Sequence, residues 1–438
     1  MKKWMFGIIG LAALVWIMEL PEGFFSDLDI WTARRQTILF TGFVAYLMMA
    51  WVMVLSLRLS MIESRLGGLD RVYRLHKWLG ICASSLGIFH WAAAQIPKWL
   101  VGAGILERPA RHGSAVEGIN WKEIAEVIGE WTFYFVLFLV ILALVRKFPY
   151  HKFRRLHKLM APAFFLFTFH ALILFPLDRL LSPAGILAML AAVSGILAAF
   201  WSLFRVIGSG RRYRGIVRHI EPLSDDVLHL RCEMEYQGMP YVAGQFVFAR
   251  FEGTRDPHPF TISSSFLSSK VISFYIKVLG DDTRFLMEHL QKNSTVQIEG
   301  PYGQFDFVDN ADTRDQIWVG AGIGVTPFLA RMEVLTAASQ DDLYDGPRIH
   351  FYYCSQPENA LLKPVETLAL SIGARFEVHD EFVQGPLKLE DILKEIHAPK
   401  TAQLWFCGPT ALGNSLEKAW RKKRLPMKNF HREYFEMR

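Results

Sequence analysis

The chain of 438 residues reads as a multidomain membrane protein, with a six-helix transmembrane bundle, then an antiparallel β-barrel, then a parallel doubly wound α/β domain. Three observations predict this. Apolar residues make up 52% of the chain, too many for a soluble enzyme and too few for an all-membrane protein, and the excess lies before about residue 207. From Tyr213 the pattern changes to short alternating runs typical of half-buried strands. After about residue 312, apolar strand-like runs alternate with helical ones, the signature of a parallel sheet. The expected domains are 1–208, 209–308 and 309–438.

A membrane span needs about 20 apolar residues. Six stretches qualify, at about 4–20, 37–57, 75–96, 130–146, 157–175 and 184–207. The first follows Met1-Lys2-Lys3 and runs to Leu20 without a convincing cleavage site, so it is read as a span and not as a secretory signal. Basic residues mark cytoplasmic ends. Lys2 and Lys3 precede the first span; Arg58, Arg65, Arg71, Arg74 and Lys77 lie between the second and third. Arg146, Lys147, Lys152, Arg154 and Arg155 lie between the fourth and fifth, and Arg205, Arg211, Arg212 and Arg214 follow the sixth. The outer loops carry fewer, although Arg34, Arg35, Arg108 and Arg111 dilute the contrast. Both termini and everything after the bundle are expected in the cytoplasm. The outer loop at about 97–129 is expected to be partly ordered by Trp99 and Trp121. Much of the net charge of +6 sits in these clusters, which points to membrane topology and away from nucleic acid. Cys82, Cys232, Cys354 and Cys407 are scattered without a CxxC, which supports neither a disulfide framework nor an iron–sulfur cluster.

The barrel is read from YRGIVRHI, DVLHLRCEM, GQFVFARF, PFTISSS, VISFYIKVL and VQIEG, with one helix at about 283–291. The α/β domain is read from strands QIWVGAG, RIHFYYC, RFEVH and QLWFCG, with helices at 324–338, 359–371, 388–396 and 409–424.

Four histidines lie inside the apolar stretches. His76 and His90 are fourteen residues apart on the third span; His157 and His170 are thirteen apart on the fifth. An ionisable side chain in a span marks a functional site. At about 1.5 Å per residue the two pairs are separated by roughly 21 and 20 Å along their helices. That depth suits two stacked haems, one held by His76 and His157 and one by His90 and His170. Fourteen steps of about 100° return to nearly the same helix face, whereas thirteen do not. The fifth span is therefore expected to be distorted between its histidines, where Pro162 removes a backbone donor. Two histidine ligands fill both axial positions, so such an iron passes electrons and does not bind oxygen.

HPFTISS, with His258, Pro259, Phe260, Thr261 and Ser263, places a hydroxyl and an aromatic on one strand edge, able to hydrogen-bond and stack on a flat ring. KVLGDDT, with Lys277, Gly280, Asp281 and Thr283, turns a strand into a helix start, where backbone donors can hold a pyrophosphate. GAGIGVTP contains Gly320, Gly322, Ile323, Gly324, Thr326 and Pro327 and sits at a strand-to-helix turn, a phosphate-binding context. CGP, with Cys407, Gly408 and Pro409, ends a later strand on the same carboxyl edge, where ligands bind in such sheets.

The histidine quartet, HPFT, GAGIGVTPF and CGP occur in one order and together resemble the ferric reductase and NADPH oxidase superfamily over nearly the whole chain. The six-span layout without a calcium-binding insertion is similar to a bacterial member. The resemblance implies a flavocytochrome with ferredoxin-reductase-like FAD and NAD(P) domains, b-type haems and a place in the bacterial inner (plasma) membrane. It implies that His258 approaches the FAD diphosphate or ribityl, that Phe260 packs on the isoalloxazine and that Thr261 hydrogen-bonds near N5. Lys277 and Thr283 would contact the FAD phosphates. The Gly320–Pro327 turn would cradle NADPH or NADH, with Cys407 beside the nicotinamide and Phe435 shielding the flavin. Two departures stand out. Glu436, Met437 and Arg438 follow Phe435, and SQPEN after RIHFYYC lacks an arginine suited to a 2′-phosphate. Ser355, Lys363 or Arg375 is left to serve there, and the choice between NADPH and NADH stays open.

The expected activity moves electrons from cytoplasmic NAD(P)H through FAD and two haems to an acceptor on the outer side. Oxygen, giving superoxide, is the leading acceptor. A ferric chelate is the alternative, and a partner redox protein or quinone the third. Arg34 or Arg35, at the outer end of the second span, would supply the cation an oxygen reducer needs.

Overall fold

The computed structural model describes residues 2–20, 29–107, 119–145, 147–204, 207–235, 239–265, 270–307, 315–339 and 346–433. Arg108, Arg111, Arg146, Arg205, Phe435, Glu436, Met437 and Arg438, each given an expectation above, lie outside the described residues. Two compact units result, one ending at Ile207 and one continuing from Gly208.

The first unit is helical. Its elements are α1 (Lys2–Met18), α2 (Ile30–Leu55), α3 (Ser60–Leu66), α4 (Leu69–Gly102), α5 (Trp121–Leu144), α6 (Tyr150–His157), α7 (Met160–Leu174) and α8 (Pro183–Leu203). Among the described residues five helices are long and apolar enough to cross a membrane, counting α6 and α7 as one, and α1 is a shorter apolar helix. Large apolar side chains such as Trp131, Phe138, Leu190, Leu197 and Phe200 are exposed, as expected of surfaces that meet lipid tails. The buried side of α8 is a stripe of small residues, Ala184, Gly185, Ala188, Ala191, Ala192, Gly195, Ala198 and Ala199. Small residues let helix backbones approach where no water drives association. At Gly195 an added Cβ would collide with the Phe164 ring on α7.

Two boundaries differ from the sequence reading. Helix α4 begins before His76 and runs through Pro97 to Gly102, so Trp99 belongs to the helix and not to a loop. Helix α5 begins at Trp121, capped by the Asn120 side chain, because Lys122, Glu123 and Glu126 are good helix formers beyond the apolar stretch. The expected distortion of the fifth span is a break at Lys158–Leu159. Pro162 explains its place. A helical proline cannot donate to the carbonyl four residues earlier, here Lys158, and its ring clashes with that group.

The second unit opens with a nearly closed antiparallel barrel of β1 (Arg212–Ser224), β2 (Val227–Met234), β3 (Phe246–Phe251), β4 (His258–Thr261), β5 (Val271–Lys277) and β6 (Thr295–Tyr302), with α9 (Asp281–His289) before β6. The order is β4-β3-β6-β1-β2-β5. Ser263 N–H donates to the Ser273 carbonyl at 2.9 Å, tying the end of β4 to β5. Strand β5 alternates strictly, with Ile272, Phe274 and Ile276 in the core beside Leu228, Leu230, Phe251 and Ile298.

The parallel sheet follows: β7 (Asp315–Ala321), α10 (Thr326–Ser339), β8 (Arg348–Cys354), α11 (Leu362–Ser371), β9 (Arg375–His379), α12 (Glu381–Gln384), α13 (Leu389–Leu393), β10 (Gln403–Cys407), α14 (Thr410–Lys422) and β11 (Phe430–Arg432). Its order is β11-β10-β7-β8-β9. All of β7 is buried, as a central parallel strand covered on both faces must be. Trp318, Phe351 and Trp405 face one core with Phe328; Ile317, Val319, Leu404 and Phe406 face the other with Trp420.

Candidate functional site

In the helical unit the four histidines fall into two facing pairs. The rings of His76 and His157 have centroids 6.1 Å apart at 62°, and those of His90 and His170 are 6.3 Å apart at 82°. Two imidazoles sharing one metal at about 2 Å per bond have their centroids near this spacing. Three of the rings are anchored through Nδ1, which donates to a main-chain carbonyl: His76 to Val52 at 3.0 Å, His90 to Ile38 at 2.9 Å and His170 to Ala125 at 2.8 Å. Such a bond fixes the tautomer and leaves Nε2 as the ligand atom. The His157 Nδ1 is buried without a hydrogen-bond partner. Helices α2 and α5 therefore supply the outer shell, which sequence reasoning missed. Gly42 and Gly129 make the room. A Cβ on Gly42 would lie 2.9 Å from His90 Cε1, and one on Gly129 would fall on the His170 ring. A glycine inside an apolar helix was the available signal.

Arg34 and Arg35 differ in role. Arg34 is half-buried and donates to the carbonyls of Ala93 at 3.2 Å and Ala94 at 3.0 Å, three and four residues past His90. Arg35 is exposed. Nearby on α4 and α5, Gln95 Nε2 donates to Glu130 Oε1 at 2.8 Å, Tyr134 O–H donates to the same oxygen at 2.6 Å, and Trp91 Nε1 donates to Tyr134 at 3.0 Å. This polar chain was also missed.

On the barrel, Phe260 packs its ring against Phe251 and Phe274, both 6.2 Å away, while Thr261 is buried on the opposite face. Pro259 is half-buried beside them. His258 Nε2 lies 2.7 Å from Asp282 Oδ2. Lys277 Nζ is 3.4 Å from Asp226. Thr283 Oγ1 accepts from the N–H groups of Leu279 and Gly280, at 2.9 and 3.1 Å, and so caps the start of α9. Asp281 and Asp282 occupy that first turn, complementing the helix dipole with their own charge. Ser263 Oγ is buried and unpartnered, a free group at the strand edge. Tyr241 donates to the Ser265 carbonyl at 2.8 Å, and the Ser265 N–H donates to Glu333 on α10 at 2.7 Å.

In the parallel sheet, Cys407 pairs in register with Gly320, so GAGIG and CGP meet at the carboxyl edge of adjacent strands. Gly324 packs directly on the chain at Cys407 and Gly408, where a Cβ would stand 2.9 Å from the Gly408 Cα. Gly322 has φ +55°, and its carbonyl accepts from the Tyr353 hydroxyl at 3.2 Å. Tyr353 is thus a clamp on the glycine-rich turn that the sequence did not disclose. Ile323 is half-buried in this turn, and Thr326 Oγ1 donates to its carbonyl at 3.2 Å. Pro327 follows as the second residue of α10, where its missing N–H costs nothing, and Pro409 precedes α14 as its cap. Ser355 follows β8 at the same edge, and its hydroxyl donates to the Gln356 carbonyl. Arg375 begins β9 and pairs with Glu395 at 2.5 Å. It sits at the amino end of a parallel strand, opposite the glycine-rich edge, so it is removed from the group expected to meet a 2′-phosphate.

Cys407 is fully buried; burial, then the neighbouring Glu433 charge, hold its thiol well above the usual range. Burial likewise holds the Glu433 carboxyl well above the carboxylate range, and its Oε2 has no hydrogen-bond partner. Glu433 directly follows β11, the edge neighbour of β10. Its signal in the sequence was a lone acid beside the aromatic pair Tyr434–Phe435.

Two family profiles match the chain. "Ferric reductase like transmembrane component" covers residues 41–168 and "FAD-binding domain" covers residues 213–306. The chain is 25% identical over 289 residues to a superoxide-generating NADPH oxidase heavy chain of Dictyostelium discoideum, covering 58% of this chain and 40% of that protein. It is 26% identical over 174 residues to NADPH oxidase 1 of Mus musculus, covering 37% and 28%. It is 41% identical over 88 residues to ferric reduction oxidase 5 of Arabidopsis thaliana, covering 19% and 12%. The chain spans roughly a third of the length of the first curated relatives it matches, between 28% and 40%. Among solved structures, the flavohemoglobin of Malassezia yamatoensis overlaps 71% of this chain and 85% of its own, with TM-score 0.45 and 17% identity. The chain belongs to the ferric reductase and NADPH oxidase superfamily.

Proposed function

We propose that this protein is an NAD(P)H-dependent transmembrane oxidoreductase that delivers electrons to oxygen on the outer side of the membrane, giving superoxide. The observation that carries the reading is the pairing of His76 with His157 and of His90 with His170 at centroid spacings of 6.1 and 6.3 Å. When bound, FAD and two b-type haems supply the conversion of a hydride's electron pair into single electrons and their passage along the bundle.

The chain's residues do the placing. His76, His90, His157 and His170 would hold the irons. The carbonyls of Val52, Ile38 and Ala125 keep Nδ1 protonated on three of them, so Nε2 is free for a metal. Thr261 and Ser263 offer hydroxyls to the flavin along β4, and the Gly280–Thr283 turn with Lys277 would meet its phosphates. The turn from Gly320 to Pro327 would take the nicotinamide nucleotide. Its glycines keep the approach open, and Tyr353 fixes the turn by its hydrogen bond to Gly322. Cys407 brings a buried, water-free wall to the carboxyl edge, and Glu433 lies beside it. The basic clusters next to the spans support a cytoplasmic dehydrogenase side. Arg34 stands beyond His90 and His170, the outer pair in this reading as His76 and His157 are the inner one, where a cation would favour a developing anion.

A ferric chelate is the second reading, favoured by the 41% identity over 88 residues to ferric reduction oxidase 5. Reduction of cytochrome c by NADPH-fed protein, with and without superoxide dismutase, separates the two. The oxygen reading expects the signal to vanish with the dismutase. A signal that survives, together with saturable reduction of a ferric chelate, would replace it with the second.

A further inference from the structure

We propose that His219, Glu221 and His229 form a binding site for a divalent transition metal of the zinc class on the face of the barrel. Nothing in the electron path uses these residues.

The site follows from strand geometry. His219 and Glu221 are two residues apart on β1, and such residues share one face of a sheet. Glu221 is paired in register with His229 on β2, so the third ligand comes from directly across the ladder. A register irregularity between Val217 and His219 marks a bulge next to the site. Bulges re-aim side chains and recur beside functional positions.

The distances suit one cation. His219 Nε2 lies 3.2 Å and His229 Nδ1 lies 3.4 Å from the same oxygen, Glu221 Oε2. Tetrahedral bonds of about 2.0–2.1 Å to zinc set ligand atoms about 3.3 Å apart. All three ligand atoms lie within 4.8 Å of one another, the one group of three such ligands among the described residues.

The surroundings are those of a held but reachable ion. The His229 side chain is 6% exposed, and its ring stacks on Tyr275 with centroids 4.4 Å apart at 8°, which fixes its orientation. The side chains of His219 and Glu221 are 44% and 50% exposed, so an ion reaches the site from water. The two imidazoles, borderline nitrogen ligands, favour zinc, copper, nickel or cobalt over magnesium or calcium, which take oxygen donors, and the carboxylate completes the set. Three protein ligands leave a fourth position for water. The charge of Arg231, the next residue on this face of β2, is exposed and therefore screened.

The test uses the full-length, detergent-solubilised protein carrying its flavin and haem, free of affinity tags and treated with chelator. Zinc is titrated by calorimetry and cobalt by its visible absorption. The expected result is one zinc ion per chain, no competition from magnesium, and a tetrahedral cobalt spectrum. In His219→Ala, at a half-buried position, and Glu221→Gln, at an exposed one, affinity falls at least tenfold, the loss that even outer-shell partners of a metal cause. Zinc raises the unfolding temperature of the parent protein and not of these variants. His289→Ala, at a histidine 3.8 Å from Glu288 but with no third ligand, binds as the parent does. Absence of a stoichiometric ion, or equal affinity in parent and both variants, would overturn the proposal.

Discussion

His76 and His157 face each other with ring centroids 6.1 Å apart, yet only His76 is anchored, its Nδ1 donating to Val52 while the His157 Nδ1 is buried unpartnered. The other pair is anchored on both sides, through Ile38 and Ala125. Outer-shell partners are worth about 10–100-fold in metal affinity. The His76–His157 pair, the inner one in the proposed path, is therefore expected to be the weaker holder. His90→Ala, which leaves only the inner pair, is expected to lose haem to apomyoglobin faster than His76→Ala, which leaves only the outer one. Equal rates would refute the asymmetry.

In the proposed path, electrons from the flavin reach the acceptor through the His90–His170 pair. His90→Ala and His170→Ala are expected to leave NAD(P)H reduction of the flavin unchanged and to abolish reduction of the outer acceptor. Stopped-flow absorbance measures the first and steady-state turnover the second. Normal turnover in either variant would break the assigned path.

Gly129 has no Cβ because the His170 ring occupies that space. Gly129→Ala overpacks the site and is expected to cost about 1–3 kcal/mol of stability. Its haem content should fall toward one per chain, with the inner pair unaffected. Gly42→Ala, whose Cβ would meet His90 Cε1 at 2.9 Å and Nδ1 at 3.0 Å, against a still closer approach to His170 Nδ1 at Gly129, should do less.

Tyr353→Phe keeps the ring and removes the hydroxyl, with its hydrogen bond to the Gly322 carbonyl and its contact with Ser355. The loss is about 0.5–1.5 kcal/mol. It should appear as a several-fold rise in the KM for NADPH or NADH with little change in kcat.

Glu433 gives a pH signature. Its carboxyl, ordinarily near 4.5, is held well above that by burial, so above the unfolded value the folded chain keeps a proton that the unfolded chain has released. The folded state then binds more protons, and stability falls as pH rises above the unfolded value. Glu433→Gln removes that slope. The unfolding temperature of the parent should drop relative to the variant as pH rises above the unfolded carboxylate value. Parallel curves would contradict a buried, protonated Glu433.

How much of this was legible in the sequence depended on whether the signal was local. The spans, the six barrel strands and the βα alternation are periodic patterns, and the histidines declared themselves by ionisable character in apolar helices. Pro162 announced a distortion, and its missing donor to Lys158 set where the break falls. Gly42, Gly129 and Tyr353 act only through neighbours distant in sequence, so their roles required tertiary structure. Arg375 was a plausible phosphate contact by type, and only strand direction puts it at the wrong end of the sheet. Strand β11 was missed because three residues are too few to show alternation.

The most direct measurement is the optical spectrum of the purified protein, ferric and dithionite-reduced, with haem counted per chain. Two low-spin b-type haems per chain in the parent, falling to one in His76→Ala and in His90→Ala, is the expected result. A protein that purifies without haem, or whose haem content is untouched by these substitutions, would contradict the account at its centre.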